Sequence, residues 1–326
     1  MIAAGVVFRI YEILGMKRLI CLKRQNGNYM EVTSQINGLV ADCLPSGSTV
    51  SGRVGKFLPS FFRLDFGLFI RDNNMVLMSH GVADKNYLFQ RDADGVPYVN
   101  ALEHLFVPGP WLRNRLLAMP EITLRPDQIS VVGWPRLDLL LKLLANGAGA
   151  SVPRKKEGPL VLWAPSHDFR KRGPEQTSSS SYPVFERDFQ ELSLIYDSVA
   201  SLHPRNRTDK NPTSHVLIAA DVVISDFGTM VYEAWALGKP VIFPSWLIGD
   251  HVRTYLPGSA EAHIFENKIG YHAESPEHLR EILASEPVVT ADVREFMDQY
   301  LPPALSGKSA ETVAGILLRL AGRSSS

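Results

Sequence analysis

Apolar positions follow two rhythms along this chain. Short continuous runs rich in β-branched residues alternate with stretches in which apolar residues recur every three or four positions. That alternation predicts parallel strands joined by helices. Its clearest instance spans residues 221–244. Val222, Val223 and Ile224 lead into a polar turn of Ser225, Asp226, Gly228 and Thr229. Val231, Ala234 and Trp235 then repeat at helical spacing up to Gly238 and Pro240, and Val241, Ile242 and Phe243 form a second apolar run. The pattern reads strand, turn, helix, strand.

The same reading predicts strands over 18–22, 40–44, 66–70, 75–78, 101–107, 131–132 and 160–163. Helices are predicted over 52–64, 111–119, 137–144, 185–202, 276–284 and 309–321, with loops over 173–182 and 249–270. Residues 146–158, NGAGASVPRKKEG, are small and basic without apolar period and read as a linker. The expected organisation is an N-terminal α/β domain (1–145), the linker (146–158), a Rossmann-like domain holding the 221–244 unit (159–305), a terminal helix (306–321) and a disordered tail (322–326).

Composition narrows the partners. With 326 residues and 45% hydrophobic content, the chain has material for two ordinary cores. Lys plus Arg and Asp plus Glu balance at 34 each, so no global field draws it to nucleic acid or anionic lipid. Two cysteines, Cys21 and Cys43, fit neither a disulfide framework nor a zinc site and suit a cytoplasmic setting. The apolar start is interrupted by Arg9 and Glu12, and no run is long enough to span a bilayer, which leaves peripheral membrane contact only.

Candidate chemistry gathers at predicted strand ends. In a βαβ unit the helix's first N–H groups face outward and attract phosphate. Gly228 lets the backbone approach and Thr229 adds a hydroxyl. Glu233, four residues on, lies on the same helix face and is placed to accept hydrogen bonds from a ribose diol. His80, before Gly81 at the end of a predicted strand, has the pKa range of a general base. Arg136 is placed to reach a phosphate or pair with Asp138, and His203 and Arg205 flank Pro204 as pyrophosphate partners. Asp92 and Asp94 form a DxD pair in a turn-rich loop and are not read as a metal site.

Ordered along the chain, these landmarks resemble the CDP-glycerol glycerophosphotransferase family of teichoic acid synthesis and, more loosely, two-Rossmann GT-B glycosyltransferases. His80, Gly81 and Lys85 are similar to that family's HGTPLK. The run 133–138 resembles GYPRND, Ala164-Pro165-Ser166 resembles APT, and His203-Pro204 matches a second family histidine. Residues 225–229 are similar to TDYSS and 307–311 to the start of GKASER. The resemblance covers about 76–320. It implies two Rossmann-type domains facing a cleft with the C-terminal helix crossing back, and His80 and His203 as catalytic residues. Ser166, Ser225, Asp226, Gly228, Thr229, Glu233, Arg136 and Arg205 would bind the donor, with Lys85 on the acceptor side. Glu233 stands where the glycerophosphotransferases have aspartate.

The expected activity is transfer of a nucleotide-activated group, on a sugar or CDP-polyol donor, to an acceptor hydroxyl of a polymer or glycan, without metal or bound cofactor. Alternatives are a sugar-nucleotide epimerase of related fold, a transferase acting on modified nucleic acid, and a non-catalytic nucleotide-binding module.

Overall fold

The computed structural model describes residues 17–23, 30–51, 55, 57–166, 179–203 and 213–322. The chain divides into two compact units, one comprising Met1–His80, Tyr87–Leu139 and Gln299–Ser326, the other Gly81–Asn86 and Leu140–Asp298.

The first unit is built on a parallel sheet ordered β2-β1-β3-β4-β5-β6. Its strands are β1 (Leu19–Leu22), β2 (Thr49–Ser51), β3 (Arg63–Gly67), β4 (Val76–Met78), β5 (His104–Val107) and β6 (Ile129–Val131). The helices are α1 (Met30–Asp42), α2 (Pro110–Ala118) and α3 (Pro135–Ala145), the last reaching into the second unit. β4 and β5 are buried along their whole length, as strands covered on both faces must be.

The second unit carries β7 (Leu160–Ala164), β8 (Asp197–Ala200), β9 (Val222–Ser225), β10 (Val241–Pro244) and β11 (Tyr271–Ala273), parallel and ordered β11-β10-β9-β7-β8. Its helices are α4 (Glu186–Ile195), α5 (Thr213–Ala219), α6 (Thr229–Ala236), α7 (Ser245–Tyr255), α8 (Ala260–Glu266), α9 (Pro276–Ala284) and α10 (Ala291–Tyr300), whose last two residues count with the first unit. Trp163, Phe185, Phe189, Ile224 and Ile242 share its core.

Four local expectations are corrected. Residues 40–44 end a helix rather than form a strand, because Ile36 and Val40 continue a helical stripe at zero exposure. Within 52–64, Ser60–Phe62 is a single 3₁₀ turn and Arg63 opens β3. The helix expected over 185–202 stops at Ile195. Asp197–Ala200 then pairs with β7 as an edge strand, an outcome set by backbone pairing that its polar sequence does not advertise. The loop expected over 249–270 holds most of two helices separated at Leu256–Ser259, with Ile248, Val252, Ile264 and Phe265 buried.

The basic stretch after α3 is bonded to the second unit. Gly149 lies against Ile218 and Ala219, where an added Cβ would meet atoms at about 3.1–3.2 Å, and Arg154 bonds Asp221 at 2.7 Å and the Ala219 carbonyl at 2.8 Å. At the other end of the chain, α11 (Ser309–Leu320) packs on α1 in the first unit. Arg18, 1% exposed, ties that end in through Glu103 at 2.9 Å and the Leu320 carbonyl at 2.8 Å.

Candidate nucleotide-phosphate site

The second sheet has the doubly wound order in which the winding reverses between its first and third strands, here β7 and β9. Ligands of such sheets bind beyond the carboxyl ends of the strands at that point. Buried polar groups shape those ends. Ser225 Oγ donates to the Ala164 carbonyl at 2.7 Å, and Ser166 Oγ donates to the Phe227 carbonyl at 3.0 Å. One oxygen of Asp226 accepts from Ser166 N at 2.6 Å and Ser181 N at 3.0 Å. Asp226 has no exposed surface, and burial raises its carboxyl pKa against the opposing pull of its serine partners.

Ser166, Ser225 and Asp226, expected as donor contacts, are thus bonded between strand ends, Ser225 and Asp226 buried and Ser166 half-buried. The serine-rich loop expected over 173–182 contributes as well. Ser179, Ser180 and Ser181 are buried, Ser180 Oγ donates to the Ser166 carbonyl at 2.7 Å, and Trp163 Nε1 donates to Ser181 Oγ at 3.0 Å. Residues 173–178 of that loop lie outside the described residues.

Above the clamps, α6 begins without a side-chain cap and without an acidic residue in its first turn. The N–H groups of Thr229 and Met230 have no acceptor among the described residues. Gly228 precedes them in extended backbone. The close neighbours are Gly81, where an added Cβ would stand 2.7 Å from Thr229 Oγ1, and Lys85, whose Nζ would lie 3.3 Å from a Cβ on Gly228. The Lys85 ammonium sits 4.8 Å from the centroid of the Phe227 ring, on which His251 also stacks at 5.5 Å. Lys85 keeps an exposed surface, yet the protein around its ammonium lowers the pKa by desolvation, opposed by the charges of Glu261 and Asp226. Unpaired N–H groups, a hydroxyl and an ammonium at one helix start form an anion site.

Lys85, expected on the acceptor side from its motif, lies beside this turn, and its segment counts with the second unit. Glu233 is fully buried, so a ribose would have to displace protein to reach it. His203 follows the edge strand β8 and is half-buried, whereas Arg205 lies outside the described residues. Arg136 bonds Gln35 at 3.4 Å in the first unit, and Asp138 accepts the Ala310 N–H at 2.8 Å near the start of α11. The motifs over 133–138 and 307–311 are therefore partners in packing that unit.

His80 ends the first segment of the first unit, two residues after β4. Its ring stacks on Phe69 at 4.5 Å with 8° between planes and meets Tyr87 edge-on at 4.8 Å. Flat packing of this kind fixes an imidazole's orientation. Asp92 accepts from Asp94 N at 3.0 Å and Val96 N at 2.9 Å, closing a turn. Among the described residues no cluster of three metal-ligating side chains occurs, and no helix is long and apolar enough to cross a membrane.

Phe227, His251 and Glu261 went unread as site residues. Phe227 sits inside the turn motif and carried a signal; the other two lie in the stretch expected as loop.

No family model matches the chain. It is 23% identical over 258 residues to the teichoic acid ribitol-phosphate polymerase TarK of Staphylococcus aureus, covering 69% of this chain and 48% of that protein. The structure of the wall teichoic acid polymerase TagF matches with a TM-score of 0.63 at 13% identity, over 98% of this chain and 94% of that one. A histidine-to-asparagine variant of TagF soaked with CDPG matches at 0.58 and 11% identity, over 98% and 93%. The chain spans under half the length of the curated relatives it matches. The resemblance seen in the motifs holds: these relatives are teichoic acid polymerases, and the fold is the GT-B-like fold of TagF.

Proposed function

We propose that the chain carries a transferase that moves a polyol phosphate from a cytidine diphosphate donor onto a hydroxyl of a phosphate-linked polymer. The observation that carries this reading is the uncapped start of α6, with the Lys85 ammonium beside it at the switch point of the second sheet. A diphosphate matches that chemistry, since N–H groups and a cation both favour anionic oxygens. Relatives that polymerise ribitol phosphate, and a TagF variant soaked with CDPG, support the choice of donor.

In the proposed reaction the acceptor oxygen attacks the phosphorus that bears the polyol. The bond from that phosphorus to the bridging oxygen breaks, CMP departs, and the hydroxyl proton passes to His80. Negative charge grows on the departing phosphate, where Lys85, Thr229 and the first N–H groups of α6 meet it without an added metal. His203 is assigned to the same phosphates. Ser166, Ser225 and Asp226 hold the strand ends in place beneath them.

Release of CMP from CDP-glycerol and CDP-ribitol, with and without a polyol-phosphate polymer, tests the reading. Turnover is expected to require the polymer and to persist in chelator. His80→Ala is expected to slow it about a hundred- to ten-thousandfold, the usual worth of a positioned base. Donor conversion without acceptor, or full turnover by His80→Ala, would overturn it.

A further inference from the structure

The segment Gly81–Asn86 is held by two buried carboxylates. Glu261, 1% exposed, accepts Asp84 N at 3.0 Å on one oxygen and Lys85 N at 2.7 Å on the other; the first oxygen also takes the Tyr232 hydroxyl at 2.6 Å. Asp84, 2% exposed, answers from the opposite direction. It accepts Ala260 N at 3.0 Å in the first turn of α8 and Asn86 N at 3.2 Å. Asn86 also donates to the Pro257 carbonyl at 3.2 Å.

Within this frame Lys85 and Asn86 adopt left-handed backbone, with φ of 43° and 54°. Side chains other than glycine hold that conformation when their surroundings fix it. Backbone N–H groups occupy both oxygens of Glu261, and the Lys85 ammonium forms no ion pair or hydrogen bond among the described residues. A cation at a helix N-terminus opposes the helix dipole. A bound anion between the two reverses the sign of that interaction.

We propose that Glu261 and Asp84 are positioning residues that hold Lys85 in left-handed backbone, so that its ammonium stands at the start of α6 to receive the donor's diphosphate. The proposal rests on the donor reading above and adds to it the source of the cation's placement. Tyr232, on α6 itself, links the helix that carries the N–H groups to the carboxylate that places the cation, so both halves of the anion site share one rigid support.

Calorimetric titration of CDP into the full chain tests this, using Lys85→Ala, Glu261→Ala and the double variant, with circular dichroism and Tm as folding controls. Each single variant is expected to lose roughly ten- to a hundredfold in affinity, the range of a charge-assisted hydrogen bond. The double variant is expected to lose no more than Lys85→Ala alone, because Glu261 acts through the lysine. A merely structural Glu261 would give losses that add. If Glu261→Ala does not fold, Asp84→Asn and Tyr232→Phe, each also combined with Lys85→Ala, supply the same cycle with gentler changes. Losses that persist in the Lys85→Ala background, or no loss from the carboxylate variants, overturn the proposal while the donor reading stands. Failure of the unaltered chain to bind either CDP or pyrophosphate overturns the donor reading, and the positioning role with it.

Discussion

Between β1 and β3 of the first unit, and between β7 and β9 of the second, the strand order reverses in the same way, yet the two points are put to different uses. In the first unit Lys23, just past β1, donates its ammonium to the carbonyls of Asp72 and Asn73 at 2.7 and 2.8 Å and lies 3.8 Å from Asp65. Protein fills the place where a ligand would sit. In the second unit the corresponding lysine comes from outside the sheet, makes no such bonds, and faces unpaired N–H groups. The winding supplies a place for a ligand; whether the place is open depends on where the nearest cation spends its hydrogen bonds.

Exchanging the two conditions tests the contrast. The largest expected effect comes from Lys23→Ala, which removes the donor to two carbonyls and leaves Asp65 with Arg63 as its partner. Stability measured by denaturant unfolding should fall by roughly 2 kcal/mol while CDP affinity is unchanged. A loss of CDP affinity would mean that the first switch point is also a ligand site. A smaller effect follows from Gly228→Ala. Its backbone suits any residue, but the new methyl would stand 3.3 Å from the Lys85 ammonium. CDP affinity should drop about three- to tenfold, within the range for a small steric displacement, with Tm nearly unchanged; undiminished affinity would place the diphosphate elsewhere.

The smallest effect concerns pH. Burial raises the Asp226 carboxyl pKa, so the folded chain binds that proton more tightly than the unfolded chain. The stability this supplies grows as pH falls through the raised folded value and is lost as pH rises above it. Relative to Asp226→Asn, the unaltered chain should therefore gain stability as pH is lowered from neutral. A pH-independent difference would show that the hydrogen bonds to Asp226 cancel its burial, and a loss on lowering pH that they outweigh it.

The βαβ unit over 221–244 was legible because its strands are buried on both faces and its turn residues are punctuated by glycine and proline. β8 and the pair α7 and α8 were not. The first is made by hydrogen bonding to β7, and the second by a helical stripe broken at Leu256–Ser259. His80 and Thr229 were singled out from their positions beyond predicted strand ends. Asp226 and Ser166 were singled out as well, and the structure bonds both between strand ends: an aspartate in a polar turn has no sequence mark that distinguishes a ligand from a clamp. Lys85 was expected on the acceptor side from its motif; the short segment Gly81–Asn86 that carries it counts with the second unit, although the chain on either side of that segment counts with the first.

Sequence alone determined the alternating α/β pattern, the polar turn at Gly228 and Thr229 between a strand and a helix, and the order of motifs that resembles teichoic acid polymerases. Those features are local, written in spacing and turn chemistry within a few residues. The tertiary structure alone decided which cation meets that turn. Glu261 and Lys85 are brought together from 176 residues apart by two backbone hydrogen bonds, and no local pattern encodes a contact made across that distance.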